Sequence, residues 1–162
     1  MDKELKEIVI RPIGVVHSQR QTLEDDHWGG VIAEIKLDGS QFSTDVLAGL
    51  DTFSHLEVVF AMHQVTAEEI EKRARHPRGR KDWPRVGIFA QRAKMRPNRI
   101  GVSYCRLLRV DGLNIAVQGL DAIDGTPVID IKPYMVEFGP IGETFQPTWA
   151  TELMKHYYDD EV

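Results

Sequence analysis

The stretch "GVSYCRLLRVDGLNIAVQGL", residues 101 to 120, constrains the fold more than any other part of the chain. Two runs rich in Val, Ile and Leu flank Asp111-Gly112, and such a pattern predicts a β-hairpin with a type I′ turn. The same texture recurs along the chain. Residues 7 to 16 (EIVIRPIGVV), 31 to 37 (VIAEIKL), 55 to 62 (HLEVVFAM), 86 to 91 (VGIFAQ) and 127 to 134 (PVIDIKPY, after the Asp124-Gly125 turn) all read as short strands. Many short strands with few helices predict a mainly β domain, a mostly antiparallel sheet curled into a barrel or sandwich.

The helical signals are brief. Residues 43 to 50 suit a short helix with Ser43 or Thr44 as N-cap and Gly49 near its end, and Thr66 to Glu69 forms a capping box that supports a helical turn or two. The tail "TWATELMKHYY" predicts a C-terminal helix with Trp149, Leu153 and Tyr157 on one face. Between the first two strands, "HSQRQTLEDDHWGG" fits neither period and is expected to be a long loop of the kind that is often functional.

With 162 residues and 42% hydrophobic composition, the chain suits one domain spanning residues 1 to 162. The net charge of -5 does not advertise affinity for nucleic acid or anionic membrane, so such a partner must be met by a local patch. Cys105 is the single cysteine, which excludes a disulfide framework within one chain. The N-terminal residues lack a signal-peptide pattern, and no apolar run approaches the ~20 residues of a membrane helix. A cytoplasmic protein with no membrane partner is expected. Neither G-x-G-x-x-G after a strand nor a phosphate-binding G-x-x-x-x-G-K-[ST] occurs, which argues against a doubly wound nucleotide fold.

Four groups of residues carry candidate chemistry. "GIFAQRAKMRPNRIG" holds Arg92, Lys94, Arg96, Asn98 and Arg99 in a segment that Pro97 bars from helix. Guanidinium forks held on a stiff loop can grip carboxylate or phosphate, although pairing with Asp or Glu across the sheet is an equally fitting use. "GLDAIDGTPVIDIKPY" contains Asp121, Asp124, Asp130 and Lys132. There Asp124 belongs to a turn, Asp130 and Lys132 suggest a cross-strand ion pair, and Asp121 could orient a ligand amine or hydroxyl. His63-Gln64 closes the third strand, where ligand-facing or strand-capping polar groups sit, and Trp28 beside Gly29-Gly30 could stack on a ligand or plug the barrel end. A zinc site of His27, His63 and Asp121 is conceivable, but its spacing matches no ligand motif. Finally, seven Lys or Arg residues fall between Lys72 and Arg85, interleaved with Trp83, which would suit RNA backbone and base stacking or form a solvated loop.

Taken together, "VGIFAQRAKMRPNRIGVS", "GLDAIDGTPVIDIKPY" and "FSHLEVVFAMHQ" resemble the TsaA-like (TrmO) family, whose characterised bacterial members methylate N6 of threonylcarbamoyladenosine next to the anticodon of tRNA. The resemblance is strongest over residues 13 to 134. It implies a single-sheet antiparallel β-barrel, a homodimer, and S-adenosyl-L-methionine as cofactor, with tRNA as the acceptor. Carried over by motif, the implied cofactor contacts are Asp26, His27, Trp28, His63, Gln64, Arg92, Val102, Leu120, Asp121, Ala122 and Ile123. Arg96, Asn98 and Arg99 are expected to fix the acceptor or the strand geometry, and Arg78, Arg80 and Lys81 to meet RNA phosphates. Methyl transfer needs the acceptor in line behind the methyl carbon, so positioning is expected to dominate and no catalytic base is assigned. The sequence departs from family members at Asp26-His27-Trp28, where Pro-Arg-Gln is common, and at Gln91-Arg92-Ala93, where Thr-Arg-Ser is common. The well-studied tRNA enzymes also carry a further C-terminal domain beyond the point where this chain has its final helix. A methyltransferase of a small molecule, and a non-catalytic module that binds cofactor or RNA, are the alternatives.

Overall fold

The computed structural model describes residues 4 to 160. Six strands form the main sheet: β1 (Gly14–Ser18), β2 (Ile32–Leu37), β3 (His55–Ala61), β6 (Ile100–Asp111), β7 (Asn114–Gln118) and β8 (Pro127–Pro133). They close into an antiparallel barrel in the order β1-β2-β7-β6-β3-β8, with β8 returning to β1 through Gly14 opposite Val128. Two short strands, β4 (Ala74–Arg75) and β5 (Val86–Gly87), make a separate ribbon, and one helix, α1 (Thr148–Met154), follows the barrel.

Alternation decides which side chains fill the barrel. On β3, Leu56, Val58 and Phe60 are buried while the residues between them face outward or sit half-buried. The same period puts Ala33, Ile35 and Leu37 of β2 and Ile115 and Val117 of β7 into one core with Val16 and Val128. Cys105 joins that core, and burial pushes its thiol up to about 12. At Gly101 a Cβ would lie 2.4 Å from the Phe60 ring, so only glycine lets that ring cross β6.

The expected barrel is present, with local corrections. The β6–β7 hairpin turns at Gly112-Leu113, because Asp111 pairs with Asn114. Gly112 has a φ of 60° and Leu113 is not left-handed, which is the pattern of a type II′ turn in place of type I′. Residues 7 to 13 are not strand, and Ile8 and Val9 stand exposed. The run 86 to 91 is strand only at Val86–Gly87; Ile88–Ala90 is a 3-10 turn that buries Ile88 and leaves Phe89 outside. The Thr66–Glu69 capping box forms as read, but it opens a single 3-10 turn. The C-terminal helix ends at Met154, so Tyr157 lies beyond it. Asp130 pairs with Lys132 along one strand and not across two.

Candidate functional site

The segments singled out in the sequence meet at one rim of the barrel. The loop after β1 is organised by Arg20, whose guanidinium donates to the carbonyls of Asp26 and His27 at 2.9 Å each and lies 4.2 Å over the Trp28 ring. Trp28 is therefore buried, at 3% exposure, and is a plug and not an open stacking platform. His27 has a left-handed φ of 65°, a conformation that non-glycine residues adopt rarely. Arg78 (φ 50°) and Arg99 (φ 52°), the other two non-glycine residues of this kind among those described, also lie in rim segments. Backbone strain of this sort gathers where geometry is held for a purpose.

The Pro97 loop is held by its own arginines. Arg96 donates to the carbonyls of Gln91 (2.8 Å) and Ala93 (3.4 Å), and Arg99 donates to that of Val65 (2.8 Å). Arg96 and Arg99 thus brace loop backbone in and beside the Pro97 segment. Asn98 is exposed. Arg92 is also exposed and uses one nitrogen on the Val102 carbonyl at 2.7 Å, which leaves the rest of its fork open to a ligand carboxylate.

Between β7 and β8, residues Leu120 to Ile123 form the floor. Leu120, Ala122 and Ile123 are buried at 0%, 2% and 4% exposure, yet their backbone N–H groups make no hydrogen bond among the described residues. Buried backbone donors are almost always paired, so a short run of buried residues with three open donors is a candidate ligand-facing edge. Asp121 lies within this run. Ser103 and Tyr157 both donate hydroxyl hydrogen bonds to its carboxylate, the latter at 2.5 Å. Burial pushes the Asp121 carboxyl upward, opposed by the Tyr157 hydrogen bond and the nearby Arg92 charge.

His63 and Gln64 are exposed where β3 ends, and a Cβ on Gly125 would stand 3.8 Å from His63 Nε2. His63 thus stands by the turn that follows the floor. Among the described residues no group of three or more His, Cys, Asp or Glu could hold a metal, so His27, His63 and Asp121 are not gathered into a ligand set.

The basic run is mostly occupied. Arg78 makes a bidentate pair with Asp26 at 2.8 and 3.0 Å, so the acid and the base expected to meet cofactor and RNA respectively meet each other. Arg80 pairs with Asp82 and lies 4.0 Å over the Trp83 ring. Trp83 is buried and donates to Glu152 of α1 at 2.7 Å, which removes it as a base-stacking surface. Lys72, Arg73 and Lys81 carry side chains with no ionic or hydrogen-bond partner among the described residues.

Sequence reasoning missed Arg20, Ser103 and Tyr157. Ser103 stands next to Val102 in a family motif, a usable signal; Arg20 lies in the long loop, where nothing at its own position singles it out, and Tyr157 in the tail, where it reads only as part of a helix face.

A sequence profile of the tRNA-methyltransferase O N-terminal domain matches residues 20–139. The chain belongs to that family. A probable S-adenosyl-L-methionine-binding protein of Methanothermobacter thermautotrophicus is 39% identical over 138 residues, covering 84% of this chain and 96% of the relative. The tRNA (adenine(37)-N6)-methyltransferase of Escherichia coli is 39% identical over 106 residues, or 63% of this chain and 45% of that enzyme. The chain thus spans less than half the length of that enzyme. Among solved structures, TrmO from Pseudomonas aeruginosa superposes with a TM-score of 0.70 at 27% identity, covering 90% of this chain and 63% of that one. The family barrel accordingly supplies the framework on which the rim is built.

Proposed function

We propose that the chain is an S-adenosylmethionine-dependent methyltransferase that modifies adenosine in tRNA. The observation that carries this reading is the buried floor of Leu120, Ala122 and Ile123 with its open backbone donors, set beside Arg92 in a chain of the tRNA-methyltransferase O family. The donor set fits the cofactor. The open nitrogens of the Arg92 guanidinium suit a carboxylate, the floor suits the polar edge of a purine, and the Asp121 carboxylate supplies negative charge near a cationic centre. The buried Trp28 Nε1 and His27 Nδ1, neither with a hydrogen-bond partner among the described residues, add two more open groups at the same rim. When bound, the cofactor supplies a methyl group on a positively charged sulfur.

The chain's own work is binding, orientation and exclusion of water. Trp28 seals the loop from below, Arg96 and Arg99 hold the Pro97 loop in shape, and His63 with Gln64 borders the opening. Within the basic run, Lys72, Arg73 and Lys81, whose side chains have no partner among the described residues, are the cations offered to RNA phosphates, a set that shares only Lys81 with Arg78, Arg80 and Lys81. A homodimer is part of this reading. It is supported by the apolar side chains of Val136, Phe138, Ile141 and Phe145, exposed at 77%, 78%, 100% and 97%. A cytoplasmic setting follows from a tRNA substrate, and no helix among the described residues is long and apolar enough to cross a membrane.

A second reading, a module that binds the cofactor without transferring its methyl group, draws on the relative named only as a binding protein, whose length this chain nearly spans. Calorimetric titration with S-adenosylmethionine, followed by incubation with labelled cofactor and unmodified tRNA, separates the two. Binding with label transferred to tRNA supports the methyltransferase; binding without transfer to any RNA or small-molecule pool supports the module; no binding by the folded protein overturns both.

A further inference from the structure

The C-terminal segment after α1 lies against the candidate site through four independent contacts. The backbone N–H groups of His27 and Trp28 donate to the carbonyls of His156 (2.9 Å) and Tyr157 (2.8 Å). At Gly29 a Cβ would fall 1.9 Å from the Tyr158 carbonyl oxygen, so the loop carries glycine where the tail touches it. His27 and His156 stack at 6.3 Å, and the Tyr157 ring meets Tyr158 edge-on at 5.0 Å. Further back, Glu152 of α1 is tied to Trp83. The segment is thus fixed at both ends before Tyr157 reaches Asp121.

We propose that Tyr157 is a positioning residue of the cofactor site, whose hydroxyl, together with that of Ser103, clamps the Asp121 carboxylate and so holds the Leu120–Ile123 floor in its binding shape. Each carboxylate oxygen of Asp121 accepts one of these hydroxyls, Oδ1 from Ser103 and Oδ2 from Tyr157. Two donors arriving from β6 and from the tail leave the side chain one orientation. Asp121 sits in the middle of the floor, so fixing its side chain fixes the peptide planes that carry the open N–H groups on either side. This inference rests on the floor being the cofactor site.

The clamp also bears on charge. The groups facing Asp121 are Arg92 from the Pro97 loop, Cys105 and Ser103 from β6, and Tyr157 and Tyr158 from the tail. Of these, the Tyr157 hydrogen bond and Arg92 draw the carboxyl toward its ionised form against the effect of burial. An ionised Asp121 favours a cationic ligand. Loss of the hydroxyl raises the carboxyl further and leaves it protonated over a wider pH range.

The test compares wild type, Tyr157→Phe and Ser103→Ala by calorimetric titration with S-adenosylmethionine at about pH 6 and about pH 8, with thermal melting as a folding control. The phenylalanine keeps the ring and its contact with Tyr158. Expected is an affinity weakened about tenfold in Tyr157→Phe, as for loss of one hydrogen bond to a charged group, with the larger loss at the lower pH. Ser103→Ala, made on the barrel wall, is expected to shift affinity in the same direction. Unchanged affinity at both pH values in a folded Tyr157→Phe protein overturns the inference while the cofactor reading stands, and tighter binding does so too by showing the tail to be a competitor. A wild type that fails to bind overturns the cofactor reading and the inference with it.

Discussion

The barrel wall and its rim use the same backbone chemistry to opposite ends. In the wall, β2 and β7 pair residue for residue from Ile32 opposite Gln118 to Lys36 opposite Asn114, and the side chains facing inward are apolar. At the rim, buried N–H groups of Leu120, Ala122 and Ile123 stand open, a carboxylate lies next to the core, and His27, Arg78 and Arg99 adopt left-handed backbone. The wall satisfies itself; the rim is held by contacts over long sequence distances and keeps open donors. Stability and binding should therefore separate by region.

The largest effect should come from the wall. Leu56→Ala empties a fully buried position and is expected to cost about 2–5 kcal/mol, with a large fall in melting temperature but unchanged cofactor affinity per folded molecule. Calorimetric melting and titration together check it. A loss of affinity without loss of stability would break the division. Arg92→Ala is the converse: an affinity loss of about tenfold or more and an unaltered melting temperature, because the side chain is exposed and its one protein contact is to a carbonyl.

Gly29→Ala tests the seam between the regions. Its new methyl group would meet the Tyr158 carbonyl, so the tail should lift from the loop, with faster hydrogen exchange at His27 and Trp28 and a barrel that melts within a few degrees of wild type. Asp121→Asn sharpens the comparison through pH. A carboxyl raised on folding binds its proton more tightly in the folded state, so its contribution is full below the ordinary value of 3.8 and is lost as pH rises through the raised one. The variant should lack that decline in urea midpoints measured across the acid range. The smallest effect concerns Cys105. With its thiol pushed up to about 12 by burial, it should resist alkylation at neutral pH until the protein is unfolded.

The wall was far more legible than the rim. Strands such as 55–61 announce themselves by β-branched runs with a period of two, because their partners need only be apolar and opposite. That signal misleads where an apolar run is short: "VGIFA" has the composition of a strand but turns at Ile88 and leaves Phe89 in solvent. In the rim, motif resemblance singled out segments that the structure brings together, but not their bonds. Arg78 finds Asp26 from 52 residues away, and Tyr157 finds Asp121 from 36, and no periodicity records such pairings. Pairing with acids is a reading of the Arg92–Arg99 group, whose guanidiniums bind carbonyls instead, while Arg78, in a run that reads as RNA-binding or solvated loop, meets an acid. Trp28 shows the same limit, since its burial and the Arg20 guanidinium over its ring depend on how the loop folds back.

Barrel closure joins Gly14 and Val15 to Val128 and Pro127, so the first strand to leave a ribosome waits for the last. Until β8 emerges, β1 and β2 present an unpaired edge to the cell, and local hairpins such as β6–β7 must form ahead of the ring. Tyr157 emerges later still. A nascent chain would close its barrel before it acquires the clamp on Asp121, so a product that stops short of Tyr157 could fold without that hydrogen bond.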